Sequence, residues 1–277
     1  MSDISFALNH MCAPKLTVQD FFSMARSLGC NAVEIRNDLD GNAILDGTPA
    51  DQIKAEADRR DIRILSINAL QRFNEWNETR AAEAAQLIDY AKRVGAQGLV
   101  LVPTNDGTGT APTKRRQNLR QALAALKPML EAADIIGFVE PLGFESCSLR
   151  SKTEAVEAIK ELSAENRFKL VHDTFHHYLA GEDRIYAGMT GLVHISGVED
   201  PSLDAGAMRD AHRKLVGAQD RIGNVEQINR LQAMGYRGLY SFEPFASEVH
   251  ALASPAEALS ASIAFLRAET GHSQTAF

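Results

Sequence analysis

Apolar residues fall into short continuous runs, and these runs alternate along the chain with longer stretches of helical periodicity. Strands that are covered on both faces lack the alternation of polar and apolar positions, so continuous runs are typical of a buried parallel sheet. The runs predict strands at Ile4–Asn9, Ala32–Arg36, Ile62–Asn68, Gly98–Pro103, Ile135–Pro141, Phe168–Asp173, Gly191–Ile195 and Gly238–Glu243. Helical patterns lie between them, notably at Thr79–Val94, Thr113–Ala133, Ser151–Leu162, Val225–Met234 and Pro255–Ala268.

A local pattern of helix end, glycine, short turn and strand recurs, with copies starting at Leu28, Val94 and Met234. If one βα unit is roughly 35 residues long, the second copy lies about two units after the first and the third lies about four units after the second. Eight such units account for the 277 residues. They favour a single (β/α)8 TIM barrel over two separate domains or an open doubly wound sheet. No G-x-G-x-x-G sequence or P-loop follows a predicted strand, which weakens the nucleotide-binding alternative.

Two segments depart from this regular alternation. The unit between Asp173 and His194 is too short for a full helix, so it is predicted as a loop with a short helix. Residues 196–224, rich in Gly, Asp and Arg, predict an extended loop over the carboxyl ends of the strands. Since no Pro/Gly/Ser-rich linker divides the chain, residues 1–270 are predicted as one barrel domain. Residues 271–277 are predicted as a tail that frays or takes part in a subunit contact, which leaves a homo-oligomer open.

Composition and charge narrow the classes of function. With 45% hydrophobic and 23% charged residues, the chain can bury a large core. The net charge is −7 and the densest basic cluster, residues 114–120, is spaced as one solvated helix face, which argues against a nucleic-acid partner.

The sequence has neither a long apolar run nor the features of a signal peptide, so a cytoplasmic protein without a membrane partner is expected. Its 3 cysteines form no C-x-x-C pair and are predicted to be reduced thiols.

Polar residues end four consecutive predicted strands, at the barrel face where TIM-barrel enzymes carry their chemistry. These residues are Glu140, Asp173, His194 and Glu243. Any one such carboxylate is more often a helix cap or a solvated group, but the four are predicted to converge on one part of the barrel mouth. Crowded carboxylates repel one another, and a cation relieves that repulsion. One nitrogen and three oxygen ligands suit one divalent ion of Mn, Mg, Co or Zn.

The sequences around these residues, Val-Glu140-Pro, Val-His172-Asp173-Thr-Phe-His176, Leu-Val-His194-Ile and Ser-Phe-Glu243-Pro-Phe, resemble the strand ends of the xylose-isomerase-like sugar isomerase/epimerase superfamily. The resemblance spans nearly the whole chain and is strongest from Glu140 to Phe245. It implies that Glu140, Asp173, His194 and Glu243 bind the metal and that the two Glu residues also act as acid and base. It further implies that His176 contacts substrate.

Within that superfamily, the segment from Glu140 to Cys147 resembles the 2-keto-myo-inositol (inosose) isomerase branch more than the ketose 3-epimerases. The epimerases usually carry an Asn-Arg pair where this chain has Gly143-Phe144. Arg213 falls where both branches place a substrate-contacting arginine. The Gly-x-Gly that follows this arginine in the family is here spread out between Gly217 and Gly223, which leaves the loop contacts and the exact substrate open.

Further polar residues are candidates for contact with substrate. His10 and Glu34 end the first two strands, with Arg36 and Asn68 nearby. Glu145 either touches substrate hydroxyls or caps the following helix.

The remaining histidines and the single tryptophan have weaker signals. His172 alternates with Asp173 and is predicted to pack against the helix layer. Surface positions are predicted for His177, His212, His250 and His272. Trp76 either covers the pocket or packs against a helix.

The resulting prediction is a metal-dependent isomerase or epimerase of a small polyhydroxy ketone or sugar, acting by proton transfer through an enediolate. The small-molecule polyol is the expected partner. An inosose dehydratase-type lyase would use nearly the same ligands, and a non-catalytic sugar-binding barrel would need only the pocket. A related endonuclease would need more metal ligands and a basic face, which this acidic chain lacks.

Overall fold

The computed structural model describes residues 4–39, 44 and 47–270. Parallel strands pair in sequence order, and the last pairs with the first, so the sheet closes into a barrel. This confirms the predicted (β/α)8 TIM barrel. The strands are β1 Phe6–Asn9, β2 Ala32–Arg36, β3 Arg63–Gln71, β4 Gly98–Val102, β5 Ile136–Val139, β6 Phe168–Asp173, β7 Thr190–Ile195 and β8 Tyr240–Phe242.

Helices follow the strands and form the outer layer. They are α1 Val18–Ser27, α2 Ala50–Arg59, α3 Glu78–Val94, α4 Pro112–Ala133, α5 Lys152–Glu161, α6 Thr174–Ala180, α7 Asn224–Ala233, α8 Ser247–His250 and α9 Pro255–Glu269. Side-chain oxygens of Thr17, Asn77 and Ser151 accept backbone N–H groups at the starts of α1, α3 and α5, as N-cap residues do. Gly95 ends α3 with a φ of 77°, a left-handed conformation that glycine adopts without a Cβ penalty.

The barrel interior is built in layers, because alternate residues of a strand face the same side. Small and apolar side chains form one interior cluster, which consists of Ala7, Ala32, Leu65, Ala69, Val100, Phe138, Val171 and Leu192. On five strands the residue two positions further on is both polar and buried: Asn9, Glu34, Glu140, Asp173 and His194. An apolar layer therefore lies beneath a polar layer that faces the carboxyl ends of the strands. The larger apolar cluster lies between the sheet and the helices.

Two of the connections are irregular, as predicted. The unit after β6 contains the short α6 and a 3-10 turn, Ala187–Met189. Residues 196–224 form an extended segment with two 3-10 turns, Ala205–Ala207 and Asp210–His212, and an antiparallel bridge between Gly197 and Lys214. Within the described ranges, no helix has the length and apolar character needed to span a bilayer. The predicted tail 271–277, with His272, lies outside the described residues.

One prediction for the histidines is confirmed and another is wrong. His172 faces the helix layer, where its Nε2 lies 3.0 Å from Gln227 Oε1. His177, predicted at the surface, is buried, because α6 packs against the start of α5 and brings His177 Nδ1 to 3.1 Å from Lys152 Nζ. His212 and His250 are half-buried.

Candidate metal centre

Four buried side chains from consecutive strand ends converge at the barrel mouth. Glu140 directly follows β5, Asp173 is the last residue of β6, His194 lies near the end of β7 and Glu243 directly follows β8. Each offers one nitrogen or oxygen atom, and these four atoms all lie within 4.8 Å of one another. A set of one imidazole and three carboxylates fits a divalent cation, because three buried anionic groups need positive charge nearby.

His194 turns its two ring nitrogens to opposite sides. Its Nδ1 lies 3.0 Å from Glu140 Oε1, 3.1 Å from Glu243 Oε2 and 3.9 Å from Asp173 Oδ2. Burial by itself would lower the pKa of His194, but the carboxylates of Glu243, Glu34 and Glu140 raise it well above the usual value. The site thus favours a positive charge at the position that Nδ1 faces, and a cation bound by Nδ1 would supply it.

Two arginines flank Glu243. Arg36 donates from NH1 to Glu243 Oε1 at 2.8 Å, and Arg213 donates from NH2 to Glu243 Oε2 at 2.9 Å and to Asp173 Oδ2 at 2.6 Å. Burial would raise the pKa of Glu243, but His194, Arg213 and Arg36 hold it well below the usual range. Glu140 has no arginine partner among the described residues, and burial raises its pKa to about 7. The two carboxyl groups therefore differ in how readily they take up a proton.

A cavity of about 350 Å³ opens onto this cluster. Glu140 and Glu243 line the cavity, whereas Asp173 and His194 are not among the described residues that line it. The remaining wall includes Arg36, Asn68, Phe144, His176, Asp210, Arg213 and Phe245. A small ligand in the cavity would therefore meet the two Glu carboxylates directly.

The residues predicted to contact substrate divide into two groups. His176 and Arg213 line the cavity. Asp173 Oδ1 accepts the backbone N–H of His176 at 2.9 Å, and the buried Nδ1 of His176 has no partner within the described part of the chain. Burial lowers the pKa of His176, so its imidazole is held neutral. The guanidinium of Arg213 lies over the ring of Phe245, 4.6 Å from the ring centre.

The other three predicted residues lie elsewhere. Glu34 is fully buried beneath His194 and does not reach the cavity. His10 follows β1 on the side opposite to Asn9; its ring stacks on Phe21 with 4.3 Å between ring centres. The exposed Glu145 lines neighbouring cavities instead of the cavity at the cluster. Trp76 packs against the apolar core, so of its two predicted roles the structure supports packing.

Asn9, Asp210 and Phe245 belong to the site although sequence reasoning did not select them. Asn9 donates from Nδ2 to Glu243 Oε1 at 3.2 Å. Strand alternation could have indicated Asn9, because it shares the inward face of Ala7 while His10 does not. Asp210 and Phe245 lie in irregular segments, where no such periodic signal exists.

The protein is a TIM barrel with a buried cluster of one histidine and three carboxylates at the carboxyl ends of strands 5 to 8. The sequence model described as "xylose isomerase-like TIM barrel" matches residues 22–269, so the chain belongs to that family. A crystal structure of a xylose isomerase domain-containing protein from Salmonella typhimurium LT2 has 36% identity and a TM-score of 0.87, over 96% of this chain and 99% of that one.

More distant solved structures share the fold. An IolI protein with a bound zinc atom has 18% identity and a TM-score of 0.85, over 96% of this chain and 99% of that one. The apo 3-keto-D-glucoside 4-epimerase from E. coli has 18% identity and a TM-score of 0.68, over 97% of this chain and 100% of that one. No curated protein sequence gives a significant match.

Proposed function

We propose that this protein is a divalent-metal-dependent isomerase or epimerase of a small polyhydroxy ketone or sugar. The observation that carries the proposal is the buried set Glu140, Asp173, His194 and Glu243, of which only the two Glu residues face the cavity. Solved structures with the same fold include an IolI protein with a bound zinc atom and sugar epimerases, which agrees with this assignment. Location in the cytoplasm, homo-oligomer formation and the absence of a nucleic-acid partner remain predictions.

The four clustered residues would hold the ion, with His194 contributing Nδ1. When bound, the cation supplies Lewis-acid stabilisation of negative charge on the substrate's carbonyl and hydroxyl oxygens. Arg213 and the neutral imidazole of His176 would orient the same oxygens from the cavity wall. Arg213 forms ion pairs with Asp173 and Glu243, so these carboxylates would hold the guanidinium in place before substrate binds.

Moving a carbonyl or inverting a neighbouring carbon needs a proton to leave one position and return at another. We assign Glu243, which the two arginines keep ionised, to removal of the proton from the carbon next to the carbonyl. Glu140, which faces the same cavity and has no arginine partner among the described residues, is assigned to return of the proton on its own side of the substrate. The two carboxylates thus divide removal and return of the proton between them.

The sequence segment that resembles inosose isomerases has a structural correlate. A Cβ at Gly143 would lie 2.4 Å from the carbonyl oxygen of His176 and 2.5 Å from Leu179 Cβ. The side chain that ketose 3-epimerases usually carry there therefore has no room beside α6. We accordingly place inososes ahead of ketoses as candidate substrates.

The test is a panel of inososes and ketoses incubated with metal-loaded protein in D2O, followed by NMR and mass spectrometry of the products. An isomerase or epimerase gives a product of unchanged composition, with deuterium at the carbon next to the carbonyl when the base exchanges with solvent. A product lighter by one water identifies the lyase alternative. Binding of the panel without any turnover identifies the sugar-binding alternative.

A further inference from the structure

We propose that Arg36 is a positioning residue for Glu243, which holds one carboxylate oxygen away from the cation so that Glu243 offers the cation only its other oxygen. The inference rests on the proposed function, which gives Glu243 two tasks, as a ligand of the cation and as a carrier of the proton. A carboxylate that is free to turn can offer either one or both of its oxygens to a cation. A residue that fixes one oxygen therefore decides how the two tasks are divided.

The two oxygens of the Glu243 carboxylate have different partners. Oε2 lies 3.1 Å from His194 Nδ1 and accepts from Arg213 NH2 at 2.9 Å. Oε1 accepts from Arg36 NH1 at 2.8 Å and from Asn9 Nδ2 at 3.2 Å. Oε2 thus faces the histidine of the cluster, whereas Oε1 is held by two donors from the ends of β1 and β2.

Asp38 anchors the guanidinium of Arg36. Arg36 Nε donates to Asp38 Oδ1 and Arg36 NH2 donates to Asp38 Oδ2, both at 2.7 Å. Such a two-point fork fixes the plane of the guanidinium as well as its position. The third nitrogen, NH1, is the one that reaches Glu243, and it also donates to Asn9 Oδ1 at 3.2 Å. The direction of the hydrogen bond to Glu243 is therefore set by the fork to Asp38.

Charge balance alone does not explain the place of Arg36. Its charge is matched by Asp38, and Glu243 already forms an ion pair with Arg213. The Arg36 side chain is only 5% exposed, and burial of a guanidinium costs solvation energy that an apolar side chain would avoid. What Arg36 adds at this position is an N–H group aimed at Oε1 of Glu243.

Loss of Arg36 should act in opposite directions on the two tasks of Glu243. Without its main donor, Oε1 can turn towards the cation, and one positive charge near the cation is removed, so the affinity for the cation should be equal to that of wild type or higher. Proton transfer should become slower, because the carboxylate is no longer held in one orientation. A merely structural role of Arg36 would instead weaken both cation binding and proton transfer.

Four variants allow a specific test. Arg36→Ala removes the guanidinium, and Arg36→Lys keeps the charge but cannot form the planar fork. Asp38→Asn weakens the anchor at a side chain that is 37% exposed, so it tests the same contact with little risk to folding. Arg120→Ala is the matched control, because Arg120 forms a two-point fork with Glu161 between the outer helices α4 and α5. Thermal unfolding followed by circular dichroism checks that the variants fold.

The first measurement needs no substrate: Co²⁺ is titrated into each protein, and the visible absorption of the bound ion reports the number and arrangement of its ligands. We expect an altered spectrum in both Arg36 variants and in Asp38→Asn, with Co²⁺ affinity no lower than in wild type, and a wild-type spectrum in Arg120→Ala. Guanidinium chloride, which can take the place of the missing side chain, should return the Arg36→Ala spectrum towards wild type, whereas sodium chloride at equal ionic strength should not. The proposal is overturned if the Arg36→Ala spectrum is that of wild type, if Arg36→Lys restores it fully, or if Co²⁺ affinity falls with the change.

The second measurement is steady-state kinetics on the inosose or ketose that wild type converts. Arg36→Ala should lower kcat by about 10- to 100-fold with little change in KM, and guanidinium should recover part of the loss. The two measurements separate this inference from the proposed function. Turnover by wild type, together with a wild-type spectrum and kcat in Arg36→Ala, would remove the role of Arg36 and leave the isomerase assignment standing. A spectral change that guanidinium reverses, together with no turnover of any substrate by wild type, would support the role of Arg36 at the cation and remove the isomerase assignment.

Discussion

Glu34 lies directly beneath His194, with its Oε2 3.1 Å from the His194 Nε2. Its carboxylate is held in turn by Ser66 Oγ at 2.6 Å, Asn68 Nδ2 at 2.8 Å and Ser241 Oγ at 2.5 Å. Metal-binding histidines commonly donate their second ring N–H to a carboxylate, which fixes the ring and increases its basicity as a ligand. Glu34 is in the position to do this for His194.

The first prediction is that Glu34→Gln weakens metal binding without removing a metal ligand. Loss of the carboxylate charge behind His194 should lower the affinity for Zn²⁺ or Mn²⁺ by about 10- to 100-fold. Competition with a chromophoric chelator measures it. Glu145→Gln, at an exposed carboxylate outside the cluster, is the control and should bind as wild type does. Equal affinities for the two variants would show that Glu34 does not support His194.

The second prediction concerns Asp173. Asp173→Ala should lose the ion and the activity, but it also removes the N-cap of α6, because Asp173 Oδ1 accepts the His176 N–H. Asp173→Asn keeps a cap acceptor and loses the charge, so it should retain the fold while its metal content falls well below one ion per chain. Elemental analysis after dialysis against chelator decides the matter. Full metal content in both variants would exclude Asp173 as a ligand.

The third prediction separates proton transfer from substrate orientation. Glu140→Gln and Glu243→Gln keep the shape of the side chain but cannot carry the proton, so kcat should fall by about 100-fold or more while substrate binding partly survives. Arg213→Ala should instead raise KM and lower kcat/KM. Steady-state kinetics with metal analysis tests all three, and near-wild-type kcat in either Gln variant would exclude that residue from proton transfer.

The fourth prediction is a dependence of stability on pH that originates at His10. Burial, opposed by the Leu16 carbonyl and assisted by Arg36, lowers the pKa of His10 to about 4 in the folded protein. The unfolded chain therefore takes up this proton first, near pH 6.5. The stabilisation is present above about pH 6.5 and is lost as the pH falls towards 4, by up to about 3 kcal/mol.

Urea unfolding of wild type and His10→Phe between pH 7 and pH 4 tests this dependence. Phe preserves the packing on Phe21 but has no proton to bind, so the free energy of unfolding of the variant should fall less steeply with acid. Parallel curves for the two proteins would contradict the prediction.

The fifth prediction is that Gly143 tolerates no side chain. In Gly143→Asn, the new Cβ would collide with the His176 carbonyl and Leu179, which costs about 1–3 kcal/mol of stability and displaces α6. Gly188→Asn, in open space, should leave stability within about 0.5 kcal/mol of wild type. Chemical unfolding compares them, and equal stability would show that α6 can move away at no cost.

Much of the fold and the four-residue cluster follows from the sequence. Continuous apolar runs at regular intervals leave little choice but a parallel barrel, because strands with two apolar faces must be covered on both sides. Such a barrel collects the ends of its strands on one face. The convergence of Glu140, Asp173, His194 and Glu243 therefore required only their order and spacing.

Only the tertiary structure decided which side chains meet. Glu34 and Arg36 share the inward face of β2, and their order along the strand places Arg36 nearer the cavity. That Glu34 lies at the height of His194, and Arg36 at the height of Glu243, depends on the stagger between strands, which closure of the barrel sets. The burial of His177 against Lys152 and the position of Arg213 between two carboxylates likewise depend on contacts between segments distant in the chain. The hydrophobic periodicity of an element indicates which side of that element a residue faces. The partners of that residue in other elements are fixed only when the elements pack together.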